Sequence, residues 1–256
     1  MSPMLTVVAP LSVMAWYDRF CGTMDDVVFI GEDAATSEDV IALASALTVR
    51  AAGRPLRLMS GHDSLLRDWV LAQELRARGL TVVAQSGVAS AAALDKVLQK
   101  ELLVAAGIAV PDWGPGDTAP PPGTRALWKG RTSTQSRDIT WHTNGEPGPP
   151  DTYWERWVEG VEYSVVVHRD CAGTVRFPPV WKGEVREDLS PPWRRLRLVP
   201  SGAEPTLLAE LDRVSTRIAE LLDWSGFGEI EFILSEDGHP LVTDINPRIC
   251  GGMRIV

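Results

Sequence analysis

The chain has 256 residues, of which 45% are hydrophobic and 23% are charged, so it can bury a core and is too apolar for general disorder. Its formal net charge of -9 argues against sequence-independent nucleic-acid binding, which needs an excess of Lys and Arg, but allows a local basic pocket for phosphates. The three cysteines lie far apart without a CxxC pair, so neither a disulfide framework nor a zinc site is expected.

The N-terminal segment is apolar but lacks the pattern of a secretory signal. No Lys or Arg precedes the apolar run, and Pro10 interrupts it. No apolar stretch approaches the roughly 20 residues that are needed to cross a bilayer. We therefore expect a soluble, cytoplasmic protein that binds neither membranes nor nucleic acid.

The first third of the chain alternates between two hydrophobic periods. Short apolar runs predict buried strands at 5–9, 27–31, 56–60 and 81–85. Helical patterns lie between them, one from Ser37 to Gly53 and one from residue 63 or 64 to Gly79. Because strands that alternate with helices form parallel βαβ units, residues 1–93 are predicted to be an open parallel α/β domain.

The middle of the chain is punctuated by proline and glycine. A third helix is predicted over 89–108, and Pro/Gly-rich passages at 111–124 and 144–151 are interpreted as connections outside helix and sheet. Strands are expected at 125–130 and 139–143, followed by a hairpin that begins at 161.

An amphipathic helix beginning at Pro205 and a last hairpin that turns at 236–238 complete the pattern. Its strands carry Glu229 with Glu231 and Asp244 with Asn246. Residues two apart on a strand face the same side, so each pair can present hard oxygen ligands of the kind that Mg²⁺ prefers. On an isolated hairpin such acids more often form a solvated face.

The segment 226–248 resembles the C-terminal motif of the ATP-grasp enzymes. The resemblance implies that Glu231, Asp244 and Asn246 hold Mg²⁺, with Mn²⁺ as an alternative ion, between ATP phosphates. It also implies that Arg248 lies beside the phosphates or the acyl group. The family often has Glu at the position of Asp244, which offers the same ligand chemistry with one methylene fewer.

Three further segments occur in the order of the family. Asp95-Lys96 resembles the pair that opens the ATP-grasp domain, and Lys129 resembles the strand lysine that contacts ATP phosphates. The segment 153–165 resembles the hinge where adenine binds between two lobes. The resemblance implies an adenine site lined by Glu155, Arg156, Trp157 and Val158, with Glu162 near the ribose. It also implies that Lys96 binds ATP and that Lys129, Asn246 and Arg248 take part in catalysis.

Two features depart from the family pattern. The expected phosphate loop contains Gly130 but no later glycine, so the hydroxyls and amides of Thr132, Ser133, Thr134 and Ser136 and the charge of Arg131 or Arg137 would have to bind phosphate. The chain also ends at Val256, soon after the motif, as a minimal member or a truncated chain would.

The acceptor site is less readable. Lys182 and Arg186 lie at alternating positions of one predicted strand, and Arg194 and Arg195 follow it. In the family, basic residues of this region face phosphates or the carboxylate substrate. A solvated strand face is an equal alternative. Gly251 and Gly252 would let the backbone approach an acyl phosphate closely.

The sequence therefore predicts an α/β protein with an N-terminal domain over 1–93 and a two-lobed ATP-grasp domain with antiparallel sheets over 94–256. The small lobe is expected at about 120–160 and the C-terminal lobe at about 161–256. The expected activity joins a small-molecule or peptide carboxylate to an amine and forms ADP. A carboxylase, a cyclo-ligase and a nucleotide-binding protein without turnover are alternatives, and a homodimer is left open.

Overall fold

The computed structural model describes residues 4–10, 26–30, 37–61, 65–132, 138–142, 145–189, 197–200 and 203–250. None of the helices within these ranges is long and apolar enough to cross a membrane.

The N-terminal part is a parallel sheet with helices packed on it. Its strands are β1 (Met4–Pro10), β2 (Asp26–Ile30), β3 (Leu56–Ser60) and β4 (Val82–Val83). They pair in parallel in the order β2-β1-β3-β4. Helices α1 (Ser37–Ala51) and α2 (Leu65–Ala77) bury leucines against this N-terminal sheet. The predicted parallel α/β architecture is confirmed.

The prediction of a single helix over 89–108 is wrong, because the structure has two helices there, α3 (Gly87–Leu94) and α4 (Lys96–Ala105). Asp95 between them has an extended backbone, with φ of -104° and ψ of 104°. Its side chain accepts hydrogen bonds from the amides of Val97 and Leu98, which are the unpaired donors at the start of α4. The chain therefore turns at Asp95, and α4 leaves in a new direction.

A small antiparallel sheet follows, in the order β5-β8-β6-β7. Its strands are β5 (Trp113–Pro115), β6 (Ala126–Gly130), β7 (Ile139–Trp141) and β8 (Thr152–Arg156). The expectation that 111–124 forms no sheet is wrong for β5. The strand lies at an edge, where proline is tolerated, and Gly114 allows the Trp154 indole to pack on its backbone.

The C-terminal sheet is also antiparallel. It contains β9 (Gly160–Asp170), β10 (Gly173–Arg176), β11 (Val180–Glu184), β12 (Gly226–Ser235) and β13 (Pro240–Asn246), in the order β10-β9-β12-β13 with β11 also on β9. Helix α5 (Pro205–Leu221) packs Leu211 and Ile218 into the same core as Phe232 and Ile245. The predicted last hairpin is present.

Candidate active site

The acidic side chains of β12 and β13 lie on one face of the C-terminal sheet. Glu231 pairs with Asp244 across the two strands, and Glu229 pairs with Asn246. The register shifts after Glu231, so that Thr243 is an extra residue in β13. This bulge lets Val242 and Ile245 both pack in the core, although they are three residues apart, while the acids share the opposite face.

Each of the two carboxylates predicted to bind metal is neutralised by a lysine from another element. Lys96, the first residue of α4, places Nζ 2.5 Å from Asp244 Oδ1. Lys182 on β11 places Nζ 2.8 Å from Glu231 Oε1. Burial raises the pKa of Asp244, but the Lys96 ammonium and the hydrogen bonds from the Ile245 amide and the Asn246 side chain together outweigh burial and hold that pKa below its ordinary value.

Lys182 reaches the acidic residues from β11, which belongs to the same sheet, and its side chain is only 2% exposed. Burial alone lowers the pKa of a lysine, yet the charges of Glu231 and Glu229 outweigh that effect and raise the pKa of Lys182. Glu229 is also buried, and Lys182 in turn holds the pKa of Glu229 below its ordinary value against the effect of burial. Lys182 is therefore a buried cation paired with Glu231 and stabilised by the charge of Glu229, and it is not part of a solvated strand face.

Arg248 follows the hairpin and lies next to Asn246. Its guanidinium donates to Asn246 Oδ1 at 3.3 Å and to the Ile249 carbonyl at 3.2 Å. The Ile249 amide donates to the Ser60 carbonyl, at the carboxyl end of β3. This contact joins the Asn246–Arg248 segment to the edge of the N-terminal sheet where open α/β proteins bind ligands.

A second group of charges surrounds Glu155 on β8. Lys129 on β6 and Glu155 are diagonal neighbours on one face of the small sheet, and the Lys129 ammonium contacts Glu155 Oε1. Lys100 on α4 places Nζ 2.6 Å from the other oxygen, Oε2. Glu155 is almost completely buried, which raises a carboxyl pKa, but the two lysines outweigh burial and lower the pKa of Glu155.

The predicted adenine segment lies where β8 meets β9. The amides of Arg156 and Trp157 donate to the carbonyls of Asp112 and Arg125. The Trp157 ring packs against Trp141, and the Arg125 guanidinium lies 5.3 Å from the Trp157 ring centroid. Val158 is buried, and Glu162 on β9 pairs with Gly183 and Ile233 of the neighbouring strands.

The start of the predicted phosphate loop is attached to α4. Arg131 donates to both oxygens of Asp95, at 2.9 and 2.6 Å, and its carbonyl accepts from the Lys96 amide. Asp95 thus caps α4 and holds Arg131 as well, and Arg131 lowers its pKa. Residues 133–137, which include Ser133, Thr134, Ser136 and Arg137, lie outside the described residues.

The predicted acceptor residues do not form one group. Lys182 faces the acids, whereas Arg186 is 59% exposed and pairs with Asp188 at 3.0 Å. Arg194, Arg195, Gly251 and Gly252 lie outside the described ranges. The structure therefore gives Lys182 and Arg186 different surroundings, although they alternate in sequence.

The three side chains predicted to bind a cation offer two carboxylates and one amide. Within the described ranges, no three His, Cys, Asp or Glu side chains are arranged to hold a metal ion by themselves. Mg²⁺ binds through one or two carboxylates and completes its shell with water and substrate phosphates. Glu231, Asp244 and Asn246 fit that partial, hard-oxygen coordination.

Lys100 was missed by the sequence predictions. Its signal is present, because Lys96, Gln99, Lys100 and Leu103 follow the i, i+3, i+4, i+7 spacing of one helix face, and all four are buried. A buried stripe with three polar members indicates polar partners on the opposing element.

The fold is that of the ATP-grasp enzymes. The structure matches N5-carboxyaminoimidazole ribonucleotide synthetase from Thermotoga maritima with a TM-score of 0.66 at 18% identity, covering 98% of this chain and 70% of that one. It matches L-amino acid ligase from Bacillus licheniformis with a TM-score of 0.73 at 12% identity, covering 98% of this chain and 68% of that one. Both proteins are ATP-grasp enzymes.

Biotin carboxylase from Campylobacter jejuni, in complex with an ATP analogue, gives a TM-score of 0.70 at 15% identity; 98% of this chain covers 61% of that protein. No protein-family model matches the sequence, and no curated protein matches it. The ATP-grasp fold predicted from the motifs is thus confirmed.

Proposed function

We propose that this protein is a ligase that uses Mg-ATP to activate a small-molecule or peptide carboxylate as an acyl phosphate, which an amine then captures. The observation that carries the proposal is the placement of four lysines, Lys96, Lys100, Lys129 and Lys182, against acids on β8, β12 and β13. The acids that they contact are Glu155, which pairs with two of the lysines, Glu231 and Asp244. The sequence motif assigns nucleotide or metal contacts to the same positions.

Binding of Mg-ATP would exchange partners within this cluster. Lys96 and Lys129 now neutralise carboxylates, and both ammonium groups can transfer to phosphate oxygens. Asp244, released from Lys96, would then hold Mg²⁺ together with Glu231 and Asn246, while Lys182 stays beside Glu231 and Glu229. The ion would supply charge neutralisation at the phosphates when bound. Such an exchange keeps every buried charge paired, which buried sites require.

The purine would lie beside Trp157, at the turn between the small and C-terminal sheets. The Arg156 and Trp157 amides are occupied by the Asp112 and Arg125 carbonyls, so the Val158 amide is the proposed donor to the ring. Glu162 is proposed to lie near the ribose. A flat slot with one or two backbone partners is what a purine ring needs.

The chemistry follows from these positions. A substrate carboxylate oxygen attacks the γ-phosphorus, the bond to the β-phosphate oxygen breaks, and ADP leaves. The amine nitrogen then attacks the acyl carbon, phosphate leaves, and the nitrogen loses a proton. Lys96, Lys129 and Arg248 stabilise the charge that develops on the phosphoryl oxygens, because phosphoryl transfer depends mostly on positioning and charge stabilisation.

The first test is calorimetric titration of ATP with and without Mg²⁺, followed by a screen of carboxylates and amines for ADP release. Asp244→Asn and Glu231→Gln should abolish ADP release without unfolding the protein, whereas Arg213→Met, which breaks an exposed pair with Glu210, should not. Near-normal turnover in both acid variants would refute the assignment of Glu231 and Asp244 as metal ligands.

The fold does not choose the second half-reaction, since function depends on the acceptor site. Mass spectrometry of the product separates amide formation from carboxylation and from cyclisation. Magnesium-dependent ATP binding without ADP release for any substrate would instead indicate a nucleotide-binding protein without turnover. A cytoplasmic location, where ATP is made and used, is part of the proposal.

A further inference from the structure

Among the described residues next to the proposed ATP site, Lys100 is the most deeply buried charged one. Its side chain is 0% exposed, and its ammonium lies 2.6 Å from Glu155 Oε2. It also donates to the Val242 carbonyl at 3.3 Å. Lys100 therefore joins α4 to β8 of the small sheet and to β13 of the C-terminal sheet.

This position follows from matched spacings. Lys96 and Lys100 are four residues apart, which is about 6 Å along a helix. Their partners on β13, Asp244 and Val242, are two residues apart, which is at most about 7 Å along a strand with the bulge at Thr243 between them. Helix α4 thus runs antiparallel to β13 and sets one lysine on the acid and the next on the backbone.

Glu155 is shared between two lysines that differ in mobility. Lys129 is 18% exposed and contacts Oε1, whereas Lys100 is enclosed on Oε2. A nucleotide phosphate that attracts Lys129 would leave Glu155 with Lys100 as its remaining cation. Without Lys100, Lys129 would be the sole counter-ion of a buried carboxylate, and its removal would expose an uncompensated charge.

We propose that Lys100 is a positioning residue that neutralises Glu155 and thereby frees Lys129 to bind the phosphates of ATP. This inference rests on the proposed function, because it assigns a nucleotide contact to Lys129. Lys100 itself touches no substrate. It acts through Glu155, and its lysine charge is needed only because that carboxylate is buried.

The test is a cycle of variants in which Mg-ATP affinity is measured by calorimetry. Lys100→Met should weaken Mg-ATP binding about tenfold, a common size for coupling within one contacting cluster. Lys100→Met/Glu155→Gln should bind Mg-ATP about as well as Glu155→Gln alone, because no carboxylate then holds Lys129. Lys100→Met/Lys129→Met should bind no more weakly than Lys129→Met alone.

These outcomes separate positioning from a structural role. If Lys100 only supported the fold, Lys100→Met would weaken binding about as much in the Glu155→Gln variant as in wild type, and that result would overturn the proposal. The proposal would also be overturned if the losses of Mg-ATP affinity caused by Lys100→Met and by Lys129→Met added in the double variant. Arg213→Met serves as the matched control for loss of a cation from an exposed pair.

Failure of the proposed function gives a different pattern. A wild-type protein that binds no Mg-ATP would refute the proposed function, and the cycle is then read from urea unfolding of the free protein. Lys100→Met/Glu155→Gln should be more stable than Lys100→Met. If it is less stable, Lys100 does not neutralise Glu155, and the positioning role is also refuted.

Discussion

Replacement of Lys182 by Met should destabilise the free protein strongly and make it dependent on Mg²⁺. Lys182 and Glu229 are 2% and 5% exposed, and Glu231 lies 2.8 Å from the lysine. Removing one member of a buried ion pair costs about 3–5 kcal/mol, because the remaining charge has no compensation. For a chain of this size, that corresponds to a fall in Tm of about 10 °C.

The raised pKa of Lys182 decides how its contribution to stability depends on pH. Its stabilisation is fully present below the ordinary lysine pKa and is lost only as pH rises through the higher folded value, so it operates at neutral pH. The Tm difference between wild type and Lys182→Met should therefore be large at pH 7.

Mg²⁺ should restore part of the loss. A cation that binds the folded protein alone raises its stability, and in the variant it no longer competes with the lysine for Glu231. Mg²⁺ should then raise the Tm of Lys182→Met more than that of wild type in a thermal scan. A Tm within about 2 °C of wild type would refute the buried-pair argument, and equal Mg²⁺ shifts in both proteins would refute the metal assignment. Arg213→Met is the exposed control and should match wild type.

Other predictions concern stability and nucleotide binding. Burial raises the pKa of Asp68 from 3.8 to about 6, so folding favours its protonated form. As pH rises from about 4 to about 6, the free energy of unfolding of wild type should therefore fall by about 3 kcal/mol relative to that of Asp68→Asn, as measured by urea unfolding. A Cβ at Gly228 would lie 1.7 Å from Trp224 and 2.6 Å from the Asn246 carbonyl oxygen. Gly228→Ala should therefore lower the free energy of unfolding by at least about 1–3 kcal/mol in the same assay. It should also weaken Mg-ATP binding, because the added methyl displaces Asn246. Trp157→Ala should weaken ATP binding in calorimetry, since the proposed purine slot loses its aromatic wall; unchanged affinity would place the purine elsewhere.

Much of the fold was predictable because local signals and packing agree. The parallel sheet followed from apolar runs that alternate with helical periods, and the last hairpin followed from its turn at 236–238. The break at Asp95 was missed because the alanines before Asp95 and the lysines and leucines after it all favour helix, while the side-chain cap at Asp95 favours a turn. Strand β5 was missed because its pairing with β8 depends on Gly114 meeting Trp154, a contact between distant segments.

Parts of the candidate site required the third dimension. Alternation placed Glu231 with Glu229 and Asp244 with Asn246, but their pairing across the hairpin depends on the bulge at Thr243. A bulge is chosen by the fit of both strands to the core, so the sequence of one strand does not specify it. Phosphate contacts after Arg131 stay predictions because 133–137 lie outside the described residues.

The lysines show how a charge pattern specifies a site without naming its partners. Lys96 and Lys100 lie on the buried face of α4, where a hydrophobic stripe would normally pack. Two ammonium groups can stay there only if acids or carbonyls face them, so the helix alone requires an opposing polar element. The sequence alone does not decide which of the two lysines pairs with the acid on β8 and which with the acid on β13, because the pairing follows from the direction in which Asp95 turns the chain. The helix break that was missed is therefore what places Lys96 on Asp244 and Lys100 on Glu155.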